Sequence, residues 1–195
     1  MDDLSFRQGL PDDAAFLAHC VCEVSGGVVD ALLSGLLPGV ASEDVLSMVL
    51  RDTSSHFSHK NCVLANLGQK CVGLLFAYSA REQSIPQLMR AMLPKKRLEP
   101  LTDLLTAHVE ESLYINTFWV DTALRGTGLA DSLMDYAKTL ASELDLVGTS
   151  LFAFRKNARA LAFYARHGFH PVREVFVPSE LLPEAGAGDL YFCER

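Results

Sequence analysis

The run SLYINTFWV (112–120) is dense in β-branched and aromatic side chains and reads as a strand. It passes through DTALRGTG directly into a helix-spaced stripe of Leu129, Leu133, Ala137, Leu140 and Leu144. A strand feeding an amphipathic helix through a glycine-rich turn restricts the chain to a mixed α and β architecture. Gly148 is placed to stop that helix.

Such a turn leaves backbone N–H groups unpaired at the positive end of a helix dipole, an arrangement suited to phosphate. Gly126 and Gly128 carry no side chain to block a pyrophosphate, and Arg125 adds charge, which suits a nucleotide-like cofactor. An ordinary tight turn has the same composition. The dinucleotide fingerprint G-x-G-x-x-G fits less well, because GTGLAD ends on Asp131 where close helix packing wants Gly or Ala, and no G-K-[ST] follows to make a P-loop.

The remaining chain keeps the mixed pattern. LSFRQG (4–9) alternates as a short strand, and Pro11 with two aspartates opens a helix over PDDAAFLAHCVCEV. Gly26, Gly27, Gly35 and Gly39 break up the next apolar segment, after which Ser42 is placed to cap EDVLSMVLRD, where Val45, Met48 and Val49 recur at helical spacing. NCVLANLGQKCVGLLFAYS reads as a hairpin turning at Gly68 and Gln69. Residues 82–107 depart from this pattern: prolines 86, 94 and 100 separate short amphipathic pieces that suit helices over a sheet, a partner surface, or a plain surface excursion. SLFAFR (150–155), VREVFV and DLYFCER read as strands, with NARALAFYARHGF a helix capped by Asn157 and ended by Gly168.

At 195 residues and 49% hydrophobic, the chain supports one sizeable core, so a single domain over 1–195 is expected. MDDLSF starts acidic, and VVDALLSGLL is interrupted by Asp30 and falls short of the ~20 residues a membrane span needs, so a cytoplasmic protein with no membrane partner is expected. A net charge of −7 disfavours nucleic acid as a partner. Cys20, Cys22, Cys62, Cys71 and Cys193 are odd in number and contain no C-x-x-C, which points to small buried apolar residues rather than disulfides or zinc. His56 and His59 in HFSH lack an acidic or thiol partner nearby; a surface loop is expected, and no metal.

In NARALAFYARHGF the i, i+4, i+7 spacing puts Asn157, Leu161 and Tyr164 on one helix face, where an amide and a phenol can address one ligand. Taken together, RGTGLA (125–130) and this segment resemble the two signature motifs of the GCN5-related N-acetyltransferase (GNAT) family. The resemblance is strongest from about Ser112 to Phe169.

The resemblance implies a mixed, mostly antiparallel twisted sheet of about six or seven strands flanked by helices, with 82–107 as a helical insertion. It also implies acetyl-CoA as cofactor. The pyrophosphate would meet the backbone of Arg125, Gly126, Thr127, Gly128, Leu129 and Ala130, and the pantetheine arm the main chain of Phe118, Trp119 and Val120. Asn157 would bond the cofactor, and Tyr164 would sit near the sulfur as general acid. Arg155, Lys156, Arg159 and Arg166 surround that helix and are left outside the site.

Relatives often carry Glu or His at the positions of Asn116 and Tyr114, which here become acceptor-binding candidates. The base that takes the amine's proton is then sought in Glu111, with Glu110, His19 and Glu23 as other carriers. The expected activity is acetyl transfer to a primary amine of a small molecule or peptide. The alternatives are a non-catalytic acyl-CoA sensor and, on GTGLAD alone, a dinucleotide-dependent oxidoreductase. The insertion also offers a surface on which a second copy could pair as a homodimer.

Overall fold

The computed structural model describes residues 4–195, so the acidic Met1–Asp3 at the start lie outside the described residues. The strands are β1 (Leu4–Gln8), β2 (Cys62–Leu67), β3 (Lys70–Ser79), β4 (Ser112–Val120), β5 (Gly148–Phe154), β6 (His170–Val175) and β7 (Gly188–Glu194). They form one seven-stranded sheet in the order β1-β2-β3-β4-β5-β7-β6. All neighbours are antiparallel except β4 and β5, which run parallel. The connection between those two is α7 (Leu129–Glu143), the crossover that a parallel pair requires.

Each sheet face buries its own cluster. Leu74, Phe76 and Tyr78 of β3 point to one face, under α1 (Ala14–Val24), α2 (Val28–Leu33) and α3 (Ser42–Arg51). Leu75 and Ala77 point to the other, where Leu129, Leu133, Met134 and Ala137 of α7 seal them. Alternation along the strand thus builds two cores from one sheet.

Residues 82–107 fold as α4 (Gln87–Met92), α5 (Lys95–Leu98) and α6 (Thr102–Thr106), interrupted at the prolines. Of the three readings open to this segment, helices laid over the sheet is the one observed: Ile85, Met89, Leu93, Leu98, Leu101 and Leu104 are buried in the first cluster. Arg97 fastens it to the end of α2 by donating to the carbonyls of Leu32 (3.1 Å) and Ser34 (2.6 Å).

Several local expectations are corrected. The glycine-broken segment contains α2, entered through left-handed Gly26 and Gly27. Ser42 lies inside the first turn of α3, with Ala41 at the cap position, and Met48 is 58% exposed while Leu46 and Leu50 fill the core beside Val45 and Val49. Gly148 does not stop α7. Asp145 takes the left-handed cap position at φ 52°, with the Leu146 N–H returning to the Ala141 carbonyl at 2.9 Å, which leaves Leu144 exposed. Gly148 opens β5 instead, where a Cβ would collide with the Cys193 carbonyl and the Phe192 ring. HFSH is not a surface loop: His59 is buried, its Nδ1 2.9 Å from the Leu50 carbonyl, and His56 is half-buried.

All five cysteines are free thiols. Among the described residues no helix is long and apolar enough to cross a membrane.

Candidate active site

β4 carries the feature that opens the site. Thr117 faces Phe76 of β3 and Ile115 faces Ala77, so Asn116 is an extra residue, a β-bulge. The bulge reverses the strand's alternation: Leu113 and Ile115 belong to the α7 face, and beyond it Phe118 and Val120 do. Trp119 faces α1, meeting Phe16 edge-on at 5.7 Å and donating from Nε1 to Glu23 at 2.8 Å. Pairing of β4 with β5 ends at Ile115 and Leu151, whereas β5 stays paired with β7 through Phe154. From Asn116 to Val120 the β5-facing edge of β4 has no ladder partner, and the strands open into a cleft.

The turn after β4 stands at the mouth of this cleft. The Asp121 carboxylate accepts from the Ala123 N–H at 2.9 Å, holding the chain as it leaves the strand. Gly126 and Gly128 adopt φ of 82° and 90°, values that favour glycine. A Cβ on Gly126 would meet nothing, so conformation rather than packing explains that glycine. Gly128 caps α7, and the first intrahelical bond shown reaches it from Ser132 at 3.0 Å. The N–H groups of Leu129, Ala130 and Asp131 are therefore left without intrahelical acceptors at the positive end of a 15-residue helix.

Opposite, α8 (Ala158–Arg166) is capped by Asn157, whose Oδ1 accepts from the Ala160 N–H at 3.2 Å. That leaves the Nδ2 donors for a ligand. Gly168 at φ 88° ends the helix with Phe169 folding back on Tyr164, ring centroids 5.7 Å apart. Phe118 approaches Tyr164 from β4 at 6.5 Å. Burial among these rings raises the Tyr164 phenol to about 12, so it stays protonated and can donate.

A single cavity of about 650 Å³ joins these parts. At one end it is lined by Arg125, Gly126, Gly128, Ala130, Asn157 and Arg159, and in the middle by Phe118, Trp119, Val120 and Tyr164. At the other end it reaches Tyr114, Asn116, Tyr78, Gln83 and His56. There the polar atoms form a chain: Asn116 Nδ2 donates to the Tyr78 hydroxyl (3.3 Å), which donates to Gln83 Oε1 (2.7 Å), while Gln83 Nε2 donates to the Leu105 carbonyl (2.9 Å). The His56 ring packs on Tyr78 at 4.5 Å, and burial holds its pKa below the ordinary imidazole value.

Three expected contributors stand apart. Glu111, at φ 57° before β4, is exposed and paired with Arg81 at 2.9 Å, outside the cavity lining. Thr127 is exposed, its N–H and hydroxyl both donating to the Leu124 carbonyl (3.3 and 2.7 Å), so it braces the turn. The Leu129 side chain is core, leaving only its N–H for a ligand. Among the cations around α8, Arg155 is held by Asp189 and Glu174, and Arg166 by Asp131. Arg159 lines the cavity with no ion pair among the described residues. His56 had no signal in the sequence, since SSHFSHKN has the composition of a loop and only the fold brings it against Tyr78.

The residues present fit a CoA thioester: unpaired N–H donors and an arginine for the pyrophosphate, an open strand edge for an amide-bearing arm, and a protonated phenol deeper in. The profile of the acetyltransferase (GNAT) family matches residues 40–169. No curated protein sequence matches the chain at a significant level. Among solved structures, an N-acetyltransferase from Staphylococcus aureus Mu50 aligns with TM-score 0.73 at 19% identity, covering 96% of this chain and 99% of that one. Another acetyltransferase gives 0.71 at 18%, covering 97% and 98%, and Ard1 from Thermoplasma volcanium gives 0.57 at 14%, covering 99% of each. At these identities the structures establish a shared fold.

Proposed function

The chain belongs to the GNAT family of acetyltransferases, which use acetyl-CoA, and we propose that it acetylates a primary amine held beside Asn116, with residues 1–195 acting as a single domain. The observation that carries this reading is the end of β4–β5 pairing at Ile115 and Leu151, next to the uncapped start of α7.

Acetyl-CoA supplies an activated carbonyl and a thiol leaving group. The N–H groups of Gly126, Gly128, Leu129 and Ala130, with Arg125, hold its pyrophosphate. The free main-chain edge at Phe118, Trp119 and Val120 orients the pantetheine arm as an added strand would be oriented. Asn157 Nδ2 donates a further hydrogen bond, and Tyr164 Oη gives its proton to the departing sulfur. An amine of pKa ~10.4 is neutral in fewer than about one molecule in a thousand at pH 7, so a proton must leave it before attack. His56, neutral there because burial lowers its pKa, takes that proton directly or through water. Tyr114 and Asn116 frame the amine. The sensor alternative drew its support from the lack of a base, and His56 removes that ground.

The test is CoA release from acetyl-CoA across a panel of primary amines; silence with every amine by a protein that binds acetyl-CoA would sink the transfer reading. Within it, Tyr164→Phe keeps the ring and removes the hydroxyl, so acetyl-CoA affinity should persist while turnover drops ~10²-fold. Unaltered turnover, with chemistry rate-limiting, would make Tyr164 a packing residue.

A further inference from the structure

The cavity continues past Asn116 into a chamber whose walls, among the described residues, carry no Asp, Glu, Lys or Arg side chain. Val21, Val24, Val28, Val29, Leu32 and Leu33 form one side, from α1 and α2. Ile85, Pro86, Met89, Leu104 and Leu105 of the insertion form another, with Phe57, Phe152 and Phe154 completing it. The charged side chains lining the cavity, Arg125, Asp131, Arg159 and Arg166, all lie on the turn, α7 or α8 at the opposite end. The chamber's polar groups largely satisfy one another through the Asn116–Tyr78–Gln83–Leu105 chain.

We propose that the acceptor is a monoamine with an apolar body, an alkyl or aryl chain bearing one primary amine, whose body fills this chamber and whose nitrogen lies at Asn116 and His56. The proposal rests on the acetyl-transfer reading and names its substrate class.

A second ammonium, as in a polyamine, or a carboxylate, as in an amino acid, would be buried here with no opposite charge to meet it, and that desolvation goes uncompensated. An apolar body gains what a charged one loses, since each methylene removed from water favours binding. The same walls favour the neutral amine over the ammonium, which eases proton transfer to His56. On this account the insertion is a specificity element. Its proline-broken helices bend over the sheet, Arg97 ties them to α2, and Gln83 ties them to β3, closing the chamber on the side where a charged substrate would need solvent or a counter-ion.

Trp119, the chain's single tryptophan, lines the cavity and reports occupancy without turnover. The experiment titrates the full-length protein with n-alkylamines from butylamine to octylamine, phenethylamine, spermidine and lysine. Trp119 fluorescence, CoA release and acetyl-CoA-induced thermal stabilisation are each followed. Affinity and kcat/KM should rise about fourfold per methylene, with spermidine and lysine at least tenfold poorer than octylamine. Leu105→Glu, which puts a charge on a half-buried wall position, should lower octylamine kcat/KM at least tenfold while acetyl-CoA stabilisation, the check that it has folded, is retained. Equal use of spermidine or lysine, or no dependence on chain length, overturns the proposal and leaves the acetyl-transfer reading standing. Failure of acetyl-CoA to stabilise the wild-type protein overturns that reading, and this inference with it.

Discussion

Acetyl-CoA is expected to bind a Gly128→Glu variant ~10²–10⁴-fold more weakly than the wild type, taking the loss as two hydrogen bonds to charged phosphate oxygens at about 1.5–3 kcal/mol each. Gly128 has φ 90° and is the cap from which the free N–H groups of α7 begin. A glutamate there sets bulk and negative charge where the pyrophosphate would lie. Any L-residue at this φ also costs about 1–2 kcal/mol of backbone strain. Gly128→Ala carries the same strain without the charge and separates the two effects. Calorimetric titration of both variants with acetyl-CoA, beside their unassisted melting temperatures, reads binding and folding independently. Equal affinity in the glutamate variant and the wild type would move the cofactor elsewhere.

The second large effect is expected at His56. His56→Gln keeps a polar side chain but cannot take up the amine's proton, so kcat/KM should fall by ~10²–10⁴-fold with acetyl-CoA affinity unchanged. The group facing His56 is the neutral Tyr78 ring, and burial alone depresses its pKa. The wild type should therefore hold its base neutral at pH 7 and lose kcat/KM on the acid side only below pH ~6.5. The variant should lack that limb and show only the amine's own ionisation. Stability follows with a definite sign. The unfolded chain protonates this imidazole near pH ~6.5 while the native state resists until lower pH, so stability drops as pH falls through that window, and His56→Gln flattens the slope. A profile with the same acid limb in both proteins would assign the proton to another group.

Glu111 and the proposed base His56 show why such a group is hard to find by reading along the chain. Glu111 adjoins β4 in sequence, yet its left-handed backbone turns the carboxylate to Arg81 and solvent. His56 lies nearly sixty residues from β4; the β3–β4 register sets Tyr78 beside Tyr114, and His56 reaches the cavity by packing on Tyr78. The bulge at Asn116 was partly legible: apolar positions in SLYINTFWV change parity between Ile115 and Phe118, but a strand packed on both faces gives a similar string of letters. Asp145 in place of a glycine at the end of α7 escaped because a left-handed cap is a property of backbone geometry that non-glycine residues sometimes adopt.

By itself the sequence determined those features that depend on neighbours along the chain. These are the β4–turn–α7 unit with its two glycines, the Asn157 cap and Gly168 exit of α8, the hairpin at Gly68, and the placement of Tyr164 on the cavity-lining face of α8, all set by local sterics and by periods of two or 3.6 residues. Only the tertiary structure decided where β4 parts from β5, which side of the sheet the insertion roofs, and that an imidazole, two amides and two phenols line one apolar chamber. Those outcomes depend on register and on the burial of two separate apolar faces, and both sum contributions from residues far apart in sequence that no local pattern encodes.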